Sequence, residues 1–260
     1  MSIARIQDFV TLVPLLKRFL YCNICNMMRD MKNQQLKEGR AKAGLTQVEA
    51  ASRLGVSQPY LSQLESGQRP VTAKLARAAA ALYRLPATAL PMPETVSAGT
   101  AADPAKLARR FASLGYPGFA HLRSNTKTNP AAVVLEALLQ PDLEVRLSEA
   151  LPWVLLTYPD LDWQWLVDHA KRHDAQNRLG FVVAVAKAFA ASHANFLFAE
   201  AKLSTVEQEL ERARLVKEDT LGRESMPAAE RRWLAEHRPP LAQHWNLLTS
   251  LSADQLSYAA

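Results

Sequence analysis

The sequence predicts an all-α protein in two domains. Three observations lead there. Helix caps recur ahead of stretches whose apolar residues step by three and four, at Thr46, Ser57, Thr72 and Asp160. No stretch alternates apolar and polar residues as a half-buried strand would. The 260 residues hold only 9 Gly, with no glycine-rich phosphate loop, so a nucleotide-binding α/β domain is excluded. A hydrophobic fraction of 48% is ample for packed cores.

Charge divides the chain unevenly. Residues 1–100 carry 13 Lys or Arg against 6 Asp or Glu, and residues 101–260 carry 18 against 19. The excess behind the net charge of +6 and the pI of about 9.4 therefore sits in the first part. A basic domain beside a neutral one is the footprint of a polyanion-binding unit attached to a unit with other partners.

Residues 1–32 form an extension of their own. Phe9 to Leu16 is apolar, but Pro14 interrupts it and Lys17 and Arg18 end it. The stretch is shorter than the roughly 20 residues of a membrane span, and it lacks the small-residue cleavage site of a signal peptide. It reads either as an added amphipathic helix or as an over-long start, with Met27, Met28 or Met31 as the true first residue. Cys22 and Cys25 stand in CNIC, without a second pair or a nearby His. No metal site, redox site or disulfide framework is expected from them, and a reducing cytoplasm is.

Gly44 to Pro70, GLTQVEAASRLGVSQPYLSQLESGQRP, is the most informative stretch. Thr46 with Glu49 makes a capping box for a helix over 47–54, with Val48, Ala51 and Leu54 on its apolar face. Gly55 stands where that helix ends in a left-handed residue, and Val56 plugs the corner. Ser57 caps a second helix with Pro59 in its first turn. Leu61 and Leu64 face inward, while Gln58, Pro59, Tyr60, Ser62 and Gln63 face outward. Two short helices joined by a tight turn, one of them presenting a polar face, match the geometry that docks in a nucleic-acid groove.

This run resembles the lambda-repressor-like helix-turn-helix family over about Leu36 to Leu90. The matched elements are LKEGRAKAGLTQ, LGVS, LSQLESGQRP and TAKLARAAAALYRL. The resemblance implies a five-helix domain that binds double-stranded DNA. It implies that Gln58, Pro59 and Gln63 face bases, that Gln47 meets a phosphate, and that Arg40 and Glu65 form a buried ion pair. The residue types agree. A Gln amide pairs bidentately with adenine, and Pro59 and Tyr60 can offer apolar contact to a thymine methyl. Ser57, Gln68, Arg69 and Lys74 join Gln47 as expected phosphate contacts, giving affinity and register rather than sequence choice.

Within this domain, residues 33–90, Thr72 caps a helix to about Leu85, with Leu75, Ala79 and Leu82 inward. A fifth short helix is expected from Pro86 to Leu90. Residues 91–104, PMPETVSAGTAADP, read as a linker. It contains Ala98-Gly99, the dipeptide cut in self-cleaving repressors. Those proteins have a β-rich C-terminal domain, and nothing here is strand-like, so cleavage is not expected.

Residues 105–260 read as helical throughout. Expected helices run from Ala105 to Leu114, from Pro130 to Leu139, and from Asp142 to Leu156 with Pro152 kinking or splitting the last. GYPGFAHLR reads as an aromatic plug. Asp160 is expected to cap a helix bearing Trp163, Trp165 and Leu166, with the Trp residues in the core. His169 and His173 have metal-ligand spacing, but Ala170 stands where a zinc protease needs Glu, and no third ligand is evident. Val182, Val185, Phe189, Ser192, Phe196, Ala199, Leu203, Val206, Leu210 and Ala213 continue one apolar stripe. It predicts one long helix, serving as a core helix or as a dimer seam. A Trp233 helix, a break at Pro239-Pro240 and a last helix around Trp245 follow.

No catalytic residue, cofactor or metal is expected. The function expected is sequence-specific DNA binding in the cytoplasm, as a homodimeric repressor. A second reading comes from the likeness of LGYPGFAHLR, NPAAVVLEALLQ, EALPWVLL and QNRLGFVVAVAKAF to antitoxin-type regulators paired with nucleotidyltransferase toxins. It implies a cognate toxin as partner of the second domain. A small effector bound by that domain is a third.

Overall fold

The computed structural model describes residues 33–93, 103–122 and 128–258. The extension 1–32, with Cys22 and Cys25, and most of the expected linker, Ala98-Gly99 included, lie outside the described residues. The chain divides into two compact units, Met1–Pro91 and Met92–Ala260. Helix dominates both, as expected.

The first unit contains α1 (33–42), α2 (Gln47–Leu54), α3 (Gln58–Glu65) and α4 (Ala73–Leu82). Leu36, Ala50, Ala51, Leu61, Leu64, Leu75, Ala79 and Tyr83 form its core. The capping box at Thr46 and Glu49 is present in both directions, and Gly55 closes α2 at φ +68°. Two expectations change. The inner face of α2 is Ala50, Ala51 and Leu54, whereas Val48 is 67% exposed. Packing against α3 and α4 turns α2 by about one residue from the face its hydropathy suggests. The fifth helix is a single 3₁₀ turn, Ala87–Ala89, because Pro86 and the following extended Leu90 leave room for no more.

The second unit contains α5 (Pro104–Ser113), α6 (Pro130–Leu138), α7 (Val145–Thr157), α8 (Trp163–Arg172), α9 (Gln176–Ala191), α10 (Leu197–Glu211), α11 (Ala228–His237) and α12 (Pro240–His244). Its centre is α9, whose residues from Gln176 to Ala186 are all buried, and which packs against α7, α8 and α10. Gly180 lets Trp245 lie flat against this helix: a Cβ there would fall 2.3 Å from the indole. Trp245 itself is fully buried.

Several expectations change here. The apolar stripe from Val182 to Ala213 belongs to two helices, α9 and α10, broken by a 3₁₀ turn at Ala194–Phe196. The two pack on each other, so Ala199, Leu203, Val206 and Leu210 are buried within the chain. Pro152 does not split α7, which runs unbroken through it. Asp162, not Asp160, caps α8 by accepting the Trp165 N–H. Of the two Trp residues expected in the core, Trp163 is buried, but Trp165 is only half-buried. A small parallel pairing, β1 (Asp219–Thr220) with β2 (Leu247–Leu248), was invisible to the alternation test because each strand has two residues.

Buried polar groups clamp the segment after α10. The Asn177 side chain both donates to the Leu215 carbonyl and accepts its N–H, each at 2.8 Å. Arg178 donates to both carboxylate oxygens of Asp219, at 2.6 and 2.8 Å, and to the Leu138 carbonyl. Tyr116 and Phe119, from the expected aromatic plug, meet edge-on, and Tyr116 meets Trp153, which in turn meets Tyr158. Tyr258 reaches Tyr116 from the far end of the chain. Among the described residues no three His, Cys, Asp or Glu cluster as metal ligands. His169 instead stacks on Trp165, with Nδ1 against its carbonyl oxygen. No described helix is long and apolar enough to cross a membrane.

Candidate nucleic-acid interface

The expected site residues gather around α3. Thr46 and Ser57 cap α2 and α3, so Gln47 and Gln58 each occupy the first position of a helix. The short turn between the helices brings these two positions side by side. Gln58 Nε2 donates to Gln47 Oε1 at 2.8 Å, and Gln47 Nε2 donates to Glu65 Oε2 at 2.9 Å. Glu65, the last residue of α3, also takes a fork from Arg40: Nε to Oε1 at 2.6 Å and Nη2 to Oε2 at 3.0 Å. The ion pair implied by the resemblance is therefore present. Its side chains are 14% and 3% exposed.

The chain of bonds has a direction. A carboxylate only accepts, so Gln47 must turn its NH₂ toward Glu65 and its oxygen toward Gln58. Gln58 must then spend one N–H on Gln47. Its oxygen and its other N–H remain unspent within the relay. This is the donor–acceptor pair that an adenine edge requires. Burial alone would raise the Glu65 carboxyl, but the bonds from Arg40 and Gln47 outweigh it, and its pKa lies below the usual glutamate range. The anchor stays ionised.

The remaining residues take different places. Pro59 is exposed in the first turn of α3, and Ser62 and Gln63 are half-exposed on it. Ser57 is exposed, its Oγ accepting the Tyr60 N–H at 3.4 Å. Gln68 and Arg69 are exposed in the turn after α3, held there by N–H bonds from both to the Gln63 carbonyl. Lys74 is exposed in the first turn of α4. Tyr60 is half-buried and packs against the core. The Arg69 guanidinium carbon stands 5.5 Å from the centre of its ring.

Two features escaped the sequence reading. The Gln58–Gln47–Glu65 relay had a signal, since two Gln at the first positions of consecutive helices must meet across a short turn. The Tyr60–Arg69 contact had none, because nine residues and a reversal of direction separate the two.

Residues 36–90 match the family model described as helix-turn-helix. This part of the chain is a helix-turn-helix domain. Over 56 residues the chain is 46% identical to a propionyl-CoA carboxylase regulator of Cereibacter sphaeroides. The aligned stretch, in the N-terminal region, is 22% of this chain and 12% of that protein, so the likeness leaves most of each chain uncompared. No solved structure matches.

Proposed function

We propose that this protein is a sequence-specific DNA-binding regulator of transcription, acting in the cytoplasm as a homodimeric repressor. The observation that carries the reading is the relay ending on Gln58. An amide fixed at the start of an exposed helix, with one acceptor and one donor unspent, is suited to a base edge. Each good bidentate pair discriminates by about 1–3 kcal/mol. Gln63 stands further along the same helix, and Gln68, Arg69 and Lys74 supply polar or cationic groups for the flanking phosphates. The basic balance of residues 1–100 supports the same partner. The named relative, a regulator, supports transcription as the process. One recognition helix gives modest affinity, which favours two copies on half-sites about 34–36 Å apart.

The test is a mobility shift with DNA from upstream of the protein's own gene, with excess competitor, at two salt concentrations. A discrete competitor-resistant shift is expected. Gln58→Ala with Gln63→Ala should abolish it while leaving the salt-dependent, competitor-sensitive binding nearly intact. Equal loss of both kinds of binding would refute the base-reading role. A monomer by light scattering, on and off DNA, would refute the dimer.

A further inference from the structure

Tyr60 was expected to meet a base, and its surroundings suit it to another task. The ring is half-buried against the core of the first unit. Swinging it toward a base would give up that packing. The chain after α3 turns back through Gly67, at φ +78°, and the N–H groups of Gln68 and Arg69 both donate to the Gln63 carbonyl, at 2.9 and 3.2 Å. This lays Arg69 alongside α3, with its guanidinium over the Tyr60 ring. Among the described residues no carboxylate pairs with Arg69. The ring face attracts the cation. A guanidinium seated this way keeps its in-plane N–H donors available, and less rotamer freedom remains to be lost when a phosphate arrives.

We propose that Tyr60 is a positioning residue, whose ring holds the Arg69 guanidinium beside the recognition helix to meet a phosphate of the duplex. Tyr60 contributes affinity through Arg69 and carries no base preference of its own. This rests on the DNA-binding reading above.

The experiment uses the full chain and a mixed-sequence duplex of about three helical turns, with binding followed by fluorescence anisotropy over a range of salt. Tyr60→Leu should weaken binding about two- to fivefold, and Tyr60→Phe, which keeps the ring, should bind like the unaltered protein. Arg69→Ala should reduce the salt slope by about one. In the Arg69→Ala background, Tyr60→Leu should make no further difference. Additive losses would overturn the proposal, because a packing defect would weaken binding whether or not Arg69 is present. So would a change in the preferred base on Tyr60→Leu, read by selection from randomised duplexes. Failure of the unaltered protein to bind any duplex at low salt would overturn the DNA-binding reading, and the proposal with it.

Discussion

Glu65→Gln is the most informative single change in the first unit. It keeps the shape of the side chain but removes its charge and turns one acceptor into a donor. Three donors converge on Glu65: two from Arg40 and one from Gln47. A glutamine can satisfy only some of them, and its own NH₂ must face one. Breaking a buried pair by removing one partner costs about 3–5 kcal/mol. Arg40 retains some exposure, which brings the expected loss to about 2–3 kcal/mol. For a domain of this size, about 4–8 °C accompanies each kcal/mol, so the melting temperature should fall by roughly 8–24 °C. The assay is circular dichroism of the full chain, with tryptophan fluorescence alongside. All five Trp lie between 153 and 245, in the second unit, so the shifted transition should appear in ellipticity and not in fluorescence. A drop below about 4 °C, or one seen equally in fluorescence, would refute the reasoning. The substitution should also remove a pH response. A carboxyl whose pKa is lowered by folding contributes stability that is present above its unfolded value, about 4.3. That stability disappears as pH falls through the lower folded value. The unaltered first unit should lose stability in this acid range, and Glu65→Gln should lack that part of the loss.

Gly180→Ala should destabilise the second unit. Ala ordinarily gains roughly 0.5–1 kcal/mol over Gly within a helix. Here the new methyl would meet the Trp245 ring at 2.3 Å, and overpacking of that kind costs about 1–3 kcal/mol. The midpoint of denaturation followed by tryptophan fluorescence should therefore fall. Asn177→Ala would leave the backbone N–H of Leu215 without its side-chain partner, while the carbonyl keeps its bond from Asn246 Nδ2. It should cost about 1–3 kcal/mol, with faster hydrogen exchange at the Leu215 amide. Burial raises the phenol pKa of Tyr116, Tyr158 and Tyr258 above the ordinary value. The folded state holds them neutral, so stability is complete below about pH 10 and lost above it. Phenolate absorbance should therefore rise together with unfolding of the second unit.

Local chemistry explains what could be read before the structure was known. The caps at Thr46, Ser57 and Thr72 each act through a side-chain bond to the first helical turn. Such signals lie within a few residues, and helix-turn-helix spacing compounds them. The unreadable parts depend on distance along the chain. Whether the apolar stripe from Val182 to Ala213 made one helix or two turned on the break at Ala194–Phe196, and a three-and-four spacing continues unchanged across such a turn. Val48 is apolar and in phase with Ala51, yet the packing of neighbouring helices leaves it outside. The relay from Glu65 to Gln58 combines both kinds of information. Gln47 and Gln58 were singled out one by one and Glu65 only as half of an ion pair, but their common direction comes from that carboxylate at the far end of α3.

The contact between Gly180 and Trp245 also bears on the order in which the chain acquires structure during synthesis. Everything the first unit buries is made before residue 92, and domains generally fold as units, N-terminal first. In the second unit the central helix α9 is made early, but the indole that covers it arrives 65 residues later, from 180 to 245, together with Leu247 and Leu248, which are buried too. Until then α9 presents bare apolar surface to whatever surrounds the growing chain. The first unit is complete through that interval, while the second waits for its cover.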